Sequence, residues 1–321
     1  MEQLTVPPQT HHKTLLYSEL VTDLENLRAD IAILGMPFGS AYGPRSFTND
    51  QTRTPQVLRD ISDRIVRHPD HYDFDIDGPL LQGRKDIRFV DCGDVLPDLS
   101  RPGDHYRRAT LATRQILKGG GLPIVLGGDH GITTPILRAY DELAAPVTLV
   151  HVDAHLDWRE DVNGVREGLS SPIRRASEMA HVDQIFQIGL RAQGSARPAD
   201  YETAKAYGAH LVPAYELHEV GMQAILDRIP DGGNYYLSID ADGIDPAIMP
   251  AVDGPAPGGV TYVQARQLIQ GLVKKGRVVG MDIVEIQPSK DTGSKLTCVT
   301  AGRFIVNLIG ASIRAGYFDK K

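Results

Sequence analysis

An α/β fold with a mainly parallel sheet, covered by helices on both faces, is predicted by three features of the sequence. Short apolar runs recur along the chain. They are continuously apolar instead of alternating, as strands buried on both faces are. Amphipathic helical patterns lie between them, which is the βαβ rhythm. The runs, in order, are IAILGMP (31–37), IRFVDCG (87–93), LPIVLGG (122–128), VTLVHV (147–152), IFQIGL (185–190), YYLSID (235–240) and VVGMDIVEI (278–286). Helices are expected over 107–120 and 263–276. The second has an apolar stripe of Val263, Leu268 and Leu272, a basic last turn that suits the helix C-terminus, and Gly276 to close it. No linker, repeat or low-complexity stretch divides the 321 residues, so one domain is expected, its first ~25 residues forming an extended arm. The long connections 38–85 and 158–175 read as functional loops, because structureless loops of that length are uncommon.

Composition narrows the function. The chain is 41% hydrophobic and 23% charged, with a net charge of -7, close to the average of soluble globular proteins. An acidic balance, with a pI of about 5.9, speaks against nucleic acid, whose phosphates need basic patches, and weakly for a cationic ligand. Two cysteines, Cys92 and Cys298, are too few for a disulfide framework and fit a reducing compartment. MEQLTVPPQTHHK has no apolar core of a secretory signal, and no uninterrupted apolar run approaches the roughly 20 residues of a membrane span. A cytoplasmic protein without membrane contact is expected.

Four polar clusters follow apolar strands, at the edge where open α/β sheets bind ligands. In HVDAHLDW (151–158), side chains two apart share a face in an extended segment, which groups Asp153, His155 and Asp157. GGDH (127–130) ends in His130; SIDADGIDP (238–246) pairs Asp240 with Asp242; MDIVEI (281–286) carries Asp282 and Glu285. Singly, a DxH is a surface pair and a DxD an Asx turn. Together they supply His130, Asp153, His155, Asp157, Asp240 and Asp242, a donor set for two divalent cations sharing carboxylates. Oxygen-rich ligation with one imidazole per ion suits Mn2+, with Ni2+ or Co2+ as alternatives. A water between two such ions loses a proton near neutral pH and becomes a nucleophile. His151 has the parity to join, but sits inside the apolar run as a buried or ligand-supporting histidine.

These four motifs resemble the ureohydrolases, the arginase and agmatinase family, with weaker likeness at Asp91-Cys-Gly-Asp94 and along Arg53 to Arg59. The likeness extends from about Gly35 to Asn307. It implies an arginase-like three-layer α/β/α sandwich, a Mn2+ pair on the six residues above, and a homotrimer or homohexamer. It implies hydrolysis of a guanidino compound to urea and an amine. Asp157 would bind metal and hydrogen-bond the nucleophile; Glu285 would hold the guanidinium, since planar N–H pairs fit carboxylates.

The loop after DAHLD departs from the family pattern. VREGLSSPIRRASEM (165–179) offers Leu169 where a proton-shuttling histidine is expected. The leaving amine must still be protonated, by Asp157, by a water or by another residue, with His181 and His218 as candidates. A polar loop for an α-amino-acid head is also not recognisable, which argues against arginine and for agmatine or 4-guanidinobutanoate. Small or alkylated guanidines and biguanides such as metformin are the alternative. Trp158 is expected as an aromatic pocket wall or a packing residue. Glu160, Asp161, Arg166 and Glu167 are expected to tune specificity or form a solvated face, and Tyr42, Arg45 and Asn49 to line the entrance. Two other readings stand beside these: a one-metal zinc amide deacetylase, and a scaffold subunit paired with an active paralogue.

Overall fold

One ten-stranded sheet organises the structure, a computed structural model that describes residues 3–7, 13–39, 42, 49–97 and 101–319. Its strands are β1 (Thr5–Val6), β2 (Glu19–Leu20), β3 (Ile31–Gly35), β4 (Phe89–Val95) and β5 (Leu122–Leu126). The second half of the chain adds β6 (Val147–Val152), β7 (Val182–Leu190), β8 (His210–Pro213), β9 (Asn234–Asp240) and β10 (Arg277–Val284). Their order is β1-β4-β3-β5-β10-β9-β6-β7-β8, with β2 also on β4. Every pairing is parallel except β1 with β4. The seven runs read from the sequence are thus seven of the strands. The short β1, β2 and β8 carry no apolar run and were not anticipated.

Helices cover both faces. They are α1 (Thr54–Asp60), α2 (Ser62–Ile65), α3 (Pro102–Lys118), α4 (Thr133–Leu137), α5 (Pro172–Ser177), α6 (Pro198–Tyr207), α7 (Ala214–Leu226), α8 (Tyr262–Lys275) and α9 (Leu296–Arg314). Alternation along each strand divides the interior. Ile31, Ile33, Val150 and Val152 face an apolar layer shared with α7, α8 and α9. Ala32, Leu34, Val147 and Leu149 face the layer shared with α3, α4 and α5. This is the expected three-layer sandwich, with a core on each side of the sheet. α8 covers the predicted 263–276, but its buried stripe is Ala265, Leu268, Ile269, Leu272 and Val273, while Val263 is 59% exposed. α9 is long and apolar enough to cross a membrane by length and composition; here it is a core helix, buried along most of its length.

The two weakly matching stretches meet in one buried knot. Arg59 on α1 donates from Nε and Nη2 to Asp91 (2.9 Å each), from Nη1 to Asp94 (2.6 Å), and from Nη2 to the Gly93 carbonyl. All three side chains are buried. The backbone N–H of Leu15 also donates to Asp91 Oδ2 (3.0 Å), and Leu15 and Leu16 lie in the core. The described part of the N-terminal segment, expected as an extended arm, is therefore stitched to the edge of the sheet through β1, β2 and Leu15. Gly35 makes room for the knot, since a Cβ there would lie 1.7 Å from Asp94 Oδ1.

Candidate metal centre

The four strands β5, β10, β9 and β6 are adjacent and parallel, so their carboxyl ends open on one edge, and the four polar clusters gather there. β6 stops at Val152, so the DAHLD segment is not a continued strand. Its grouping comes from turns. Asp153 Oδ1 accepts from the backbone N–H of His155 (2.6 Å) and Asp240 Oδ1 from that of Asp242 (2.8 Å). Asp129 Oδ1 does the same for Gly131 (3.0 Å), which sets the turn that carries His130. An aspartate holding the amide two residues on is an Asx turn. In Asp153 and Asp240 it uses Oδ1 locally and turns Oδ2 inward.

Those two oxygens, joined by one from Asp157, converge on His130. Its Nδ1 lies 2.9 Å from Asp157 Oδ2, 3.1 Å from Asp240 Oδ2 and 3.3 Å from Asp153 Oδ2. Beside this group, His155 Nδ1 lies 3.1 Å from Asp242 Oδ2 and 3.5 Å from Asp153 Oδ1. Asp153 thus belongs to both clusters, with one oxygen toward each. The structure brings together all six residues proposed from the sequence as ligands. Asp157 reaches its place only by adopting φ +47°, and Glu285 sits at φ +63°. For residues other than glycine this region costs about 1–3 kcal/mol and collects at functional sites.

The donor set fits divalent cations. His130 Nδ1, His151 Nε2 and Asp153 Oδ2 are buried with no aligned hydrogen-bond partner, an arrangement that is costly unless something else satisfies the atoms. Donors set at right angles around one ion at about 2.1 Å stand about 3.0 Å apart, as the oxygens around His130 Nδ1 do. The far nitrogen of the ring fixes its tautomer: Ser238 Oγ donates to Asp282 Oδ1 (2.6 Å), so it accepts from His130 Nε2–H (3.0 Å) and leaves the Nδ1 lone pair inward. Asp282 is held in turn by Tyr236 (2.7 Å) and Thr133 (2.9 Å). Such supporting bonds tune metal ligands. The second cluster is more open, with the His155 side chain 22% exposed. Gly194 and Gly254 flank that ring; a Cβ at Gly194 would come within 2.4 Å of it.

The electrostatics predict an unusual pH response. Burial, together with neighbouring carboxylates, lifts Asp157, Asp240 and Asp242, the last to about 6. Burial, with Asp129, brings Glu285 to about 8. Hydrogen bonding to Asp242 raises His155 to about 9, and three carboxylates raise His130 against its burial. All these folded values exceed the unfolded ones, so the folded state binds more protons and stability falls as pH rises through them. Asp153 is depressed, but its contribution changes only below the ordinary carboxylate range. Chelator-stripped protein should therefore melt at progressively lower temperature from pH 5 to pH 9, and Mn2+ should abolish that trend. A melting temperature that rises over this range without metal would contradict the assignment.

The remaining expectations divide. Glu285 is buried, accepting from the His130 backbone N–H (2.8 Å) and from Gln51 Nε2 (3.0 Å). Gln51 had no motif to mark it. Trp158 is 1% exposed, packed in an apolar layer with its ring 5.6 Å from Tyr207; it is a core residue and no pocket wall. Glu160 pairs with Arg166, Arg174 and Arg175, and Glu167 with Arg138, so these charges brace their own loop. Asp161 caps the turn at Gly164. His181 precedes β7 and bonds the Leu137 carbonyl at the opposite end of the sheet, and His218 is exposed on α7 against Gly258. Neither reaches the cluster. Tyr42 Oη accepts from Ser170 N–H (2.7 Å) beside Leu169, and Asn49 packs on Gly39; Arg45 lies outside the described residues.

A sequence model described as the arginase family matches residues 29–310. Guanidinobutyrase of Pseudomonas aeruginosa is 37% identical over 211 residues, covering 64% of this chain and 66% of that protein. Mitochondrial agmatinase of Gallus gallus is 35% identical over 217 residues, 66% of this chain and 63% of that one. The matches thus span just under two thirds of these relatives. Proclavaminate amidino hydrolase of Streptomyces clavuligerus superposes with a TM-score of 0.78 at 26% identity, over 97% of this chain and all of that one.

Proposed function

The chain belongs to the arginase family, and on that premise we propose that it hydrolyses a guanidino compound to urea and an amine with two divalent cations, Mn2+ first among them. The observation that carries this is Asp153, whose two oxygens face two separate histidine–carboxylate clusters. A guanidinium is a resonance-stabilised cation and a poor electrophile, so it demands a strong nucleophile and a fixed pose. The cations, once bound, supply Lewis acidity and a water that ionises near neutral pH. His130, Asp153, His155, Asp157, Asp240 and Asp242 hold them. Glu285, kept in place by the His130 amide and Gln51, has a further lone pair on each oxygen for the substrate's N–H groups. Asp157 hydrogen-bonds the attacking water and passes its proton to the leaving nitrogen, the role left vacant by Leu169.

Agmatine and 4-guanidinobutanoate are the proposed substrates, and a homotrimer or homohexamer in the cytoplasm the proposed form. The test loads purified protein with Mn2+, Ni2+ or Co2+ and follows urea release from agmatine, guanidinobutanoate, arginine, guanidine, methylguanidines and metformin. No urea from any pair would end the proposal; one metal per chain would favour a deacetylase. Native mass spectrometry separates a homo-oligomer from a subunit that needs a paralogue. Glu285→Gln should keep both metals while kcat/KM falls by about 10²–10³-fold, the scale of losing one preorganised electrostatic contact. Unchanged turnover in that variant would remove Glu285 from the substrate site.

A further inference from the structure

His151, which stands two residues before Asp153, is fully buried on β6 and faces Gln187 in the register of β7. Gln187 Nε2 donates to the Leu156 carbonyl (2.7 Å) and lies 3.2 Å from His151 Nδ1. The amide cannot be reversed, because its oxygen would then press on the Leu156 oxygen, acceptor against acceptor. Its second hydrogen therefore goes to His151 Nδ1, which must carry a lone pair. A neutral imidazole has one N–H, and here that leaves it on Nε2, 2.9 Å from Asp153 Oδ2 but not aligned on it.

We propose that His151, oriented by Gln187, is a positioning residue that donates from Nε2–H to the shared carboxylate of Asp153 and does not itself ligate metal. This rests on the two-cation reading above. Proximity alone would allow the opposite, since His130, His151 and Asp153 offer donor atoms close enough for one ion, with the two rings 4.9 Å apart. The hydrogen bonds of Gln187 to the Leu156 carbonyl and to His151 Nδ1 decide against it, because they leave a proton, not a lone pair, on the nitrogen nearest Asp153. The His155 N–H holds Oδ1, and a small turn of the His151 ring brings Nε2–H onto Oδ2, so that the carboxylate would be held from both sides. A metal-ligating carboxylate so supported loses affinity when the support goes, on the order of 10–100-fold.

The experiment has two readouts, neither of them turnover. Nitrogen NMR of histidine-labelled wild type, with and without Zn2+, reports which ring nitrogen of His151 carries the proton. Free-Mn2+ EPR titration gives the affinities of wild type, Gln187→Leu, His151→Phe and His151→Gln. We expect a protonated Nε2 in both NMR states, weaker Mn2+ binding by about 10–100-fold in the first two variants, and partial rescue in His151→Gln, whose amide can still donate. A deprotonated, metal-shifted Nε2 in the Zn2+ form would overturn the proposal and make His151 a ligand. Wild-type affinity in Gln187→Leu and His151→Phe would also overturn it, leaving the two-cation site intact. Wild type that takes up no metal would sink both together.

Discussion

Asp153→Asn is expected to release the metals and to lower urea formation by more than about 10³-fold, because a water without metal keeps a pKa near 15.7 in place of about 7. Asparagine preserves shape and can still accept from the His155 amide through Oδ1. Its amide hydrogens, however, would point at His130 Nδ1 and His151 Nε2, where Asp153 presents Oδ2. One substitution removes a charge from both clusters at once, whereas Asp242→Asn would touch only the cluster with His155. Metal content by elemental analysis should therefore fall from two toward zero in Asp153→Asn, and less far in Asp242→Asn. A variant that retained two metals and wild-type turnover would show that the site lies elsewhere.

The largest expected effect on folding comes from a residue far from the chemistry. Arg59→Leu leaves the buried carboxylates of Asp91 and Asp94 without their cation. Breaking a buried ion pair from one side costs about 3–5 kcal/mol, or about 4–8 °C in melting temperature for a chain of this size. Both aspartates belong to β4, which holds β1, β2 and β3, so the loss should concentrate at that edge. Adding Asp94→Asn should recover part of it by removing one stranded charge. Thermal denaturation of the metal-loaded proteins measures both effects. Equal melting of wild type and Arg59→Leu would mean that the knot carries no net stability.

The sequence made the fold and the clusters legible because both depend on local pattern. Buried parallel strands are written as apolar runs, and Asx turns after them as DxH and DxD. The period-2 argument grouped Asp153 and Asp157 correctly but for a different reason: left-handed backbone at Asp157, not an extended strand, brings it to His130. Contact-defined roles left no local trace. Gln51 reaches Glu285 across 234 positions, and Gln187 meets His151 only through strand register. The short β1, β2 and β8 form by pairing with neighbours, not by apolar composition. For Trp158 the sequence left pocket wall and packing both open, because adjacency to a ligand does not say which way a side chain turns; this one turns into the core.

Among the described residues, β10 alone joins the two halves of the sheet, pairing with β5 on one side and β9 on the other. A ribosome delivers it last of the ten. Until it emerges, β3, β4 and β5 can pair among themselves and β6 to β9 likewise, but His130 belongs to the first group and its aspartates to the second. Ion capture at His130 is thus deferred to late synthesis and follows a long-range, intrinsically slow closure, whereas Asp153, His155 and Asp242 all belong to the second group. The His130 half of the centre therefore records completion of the fold.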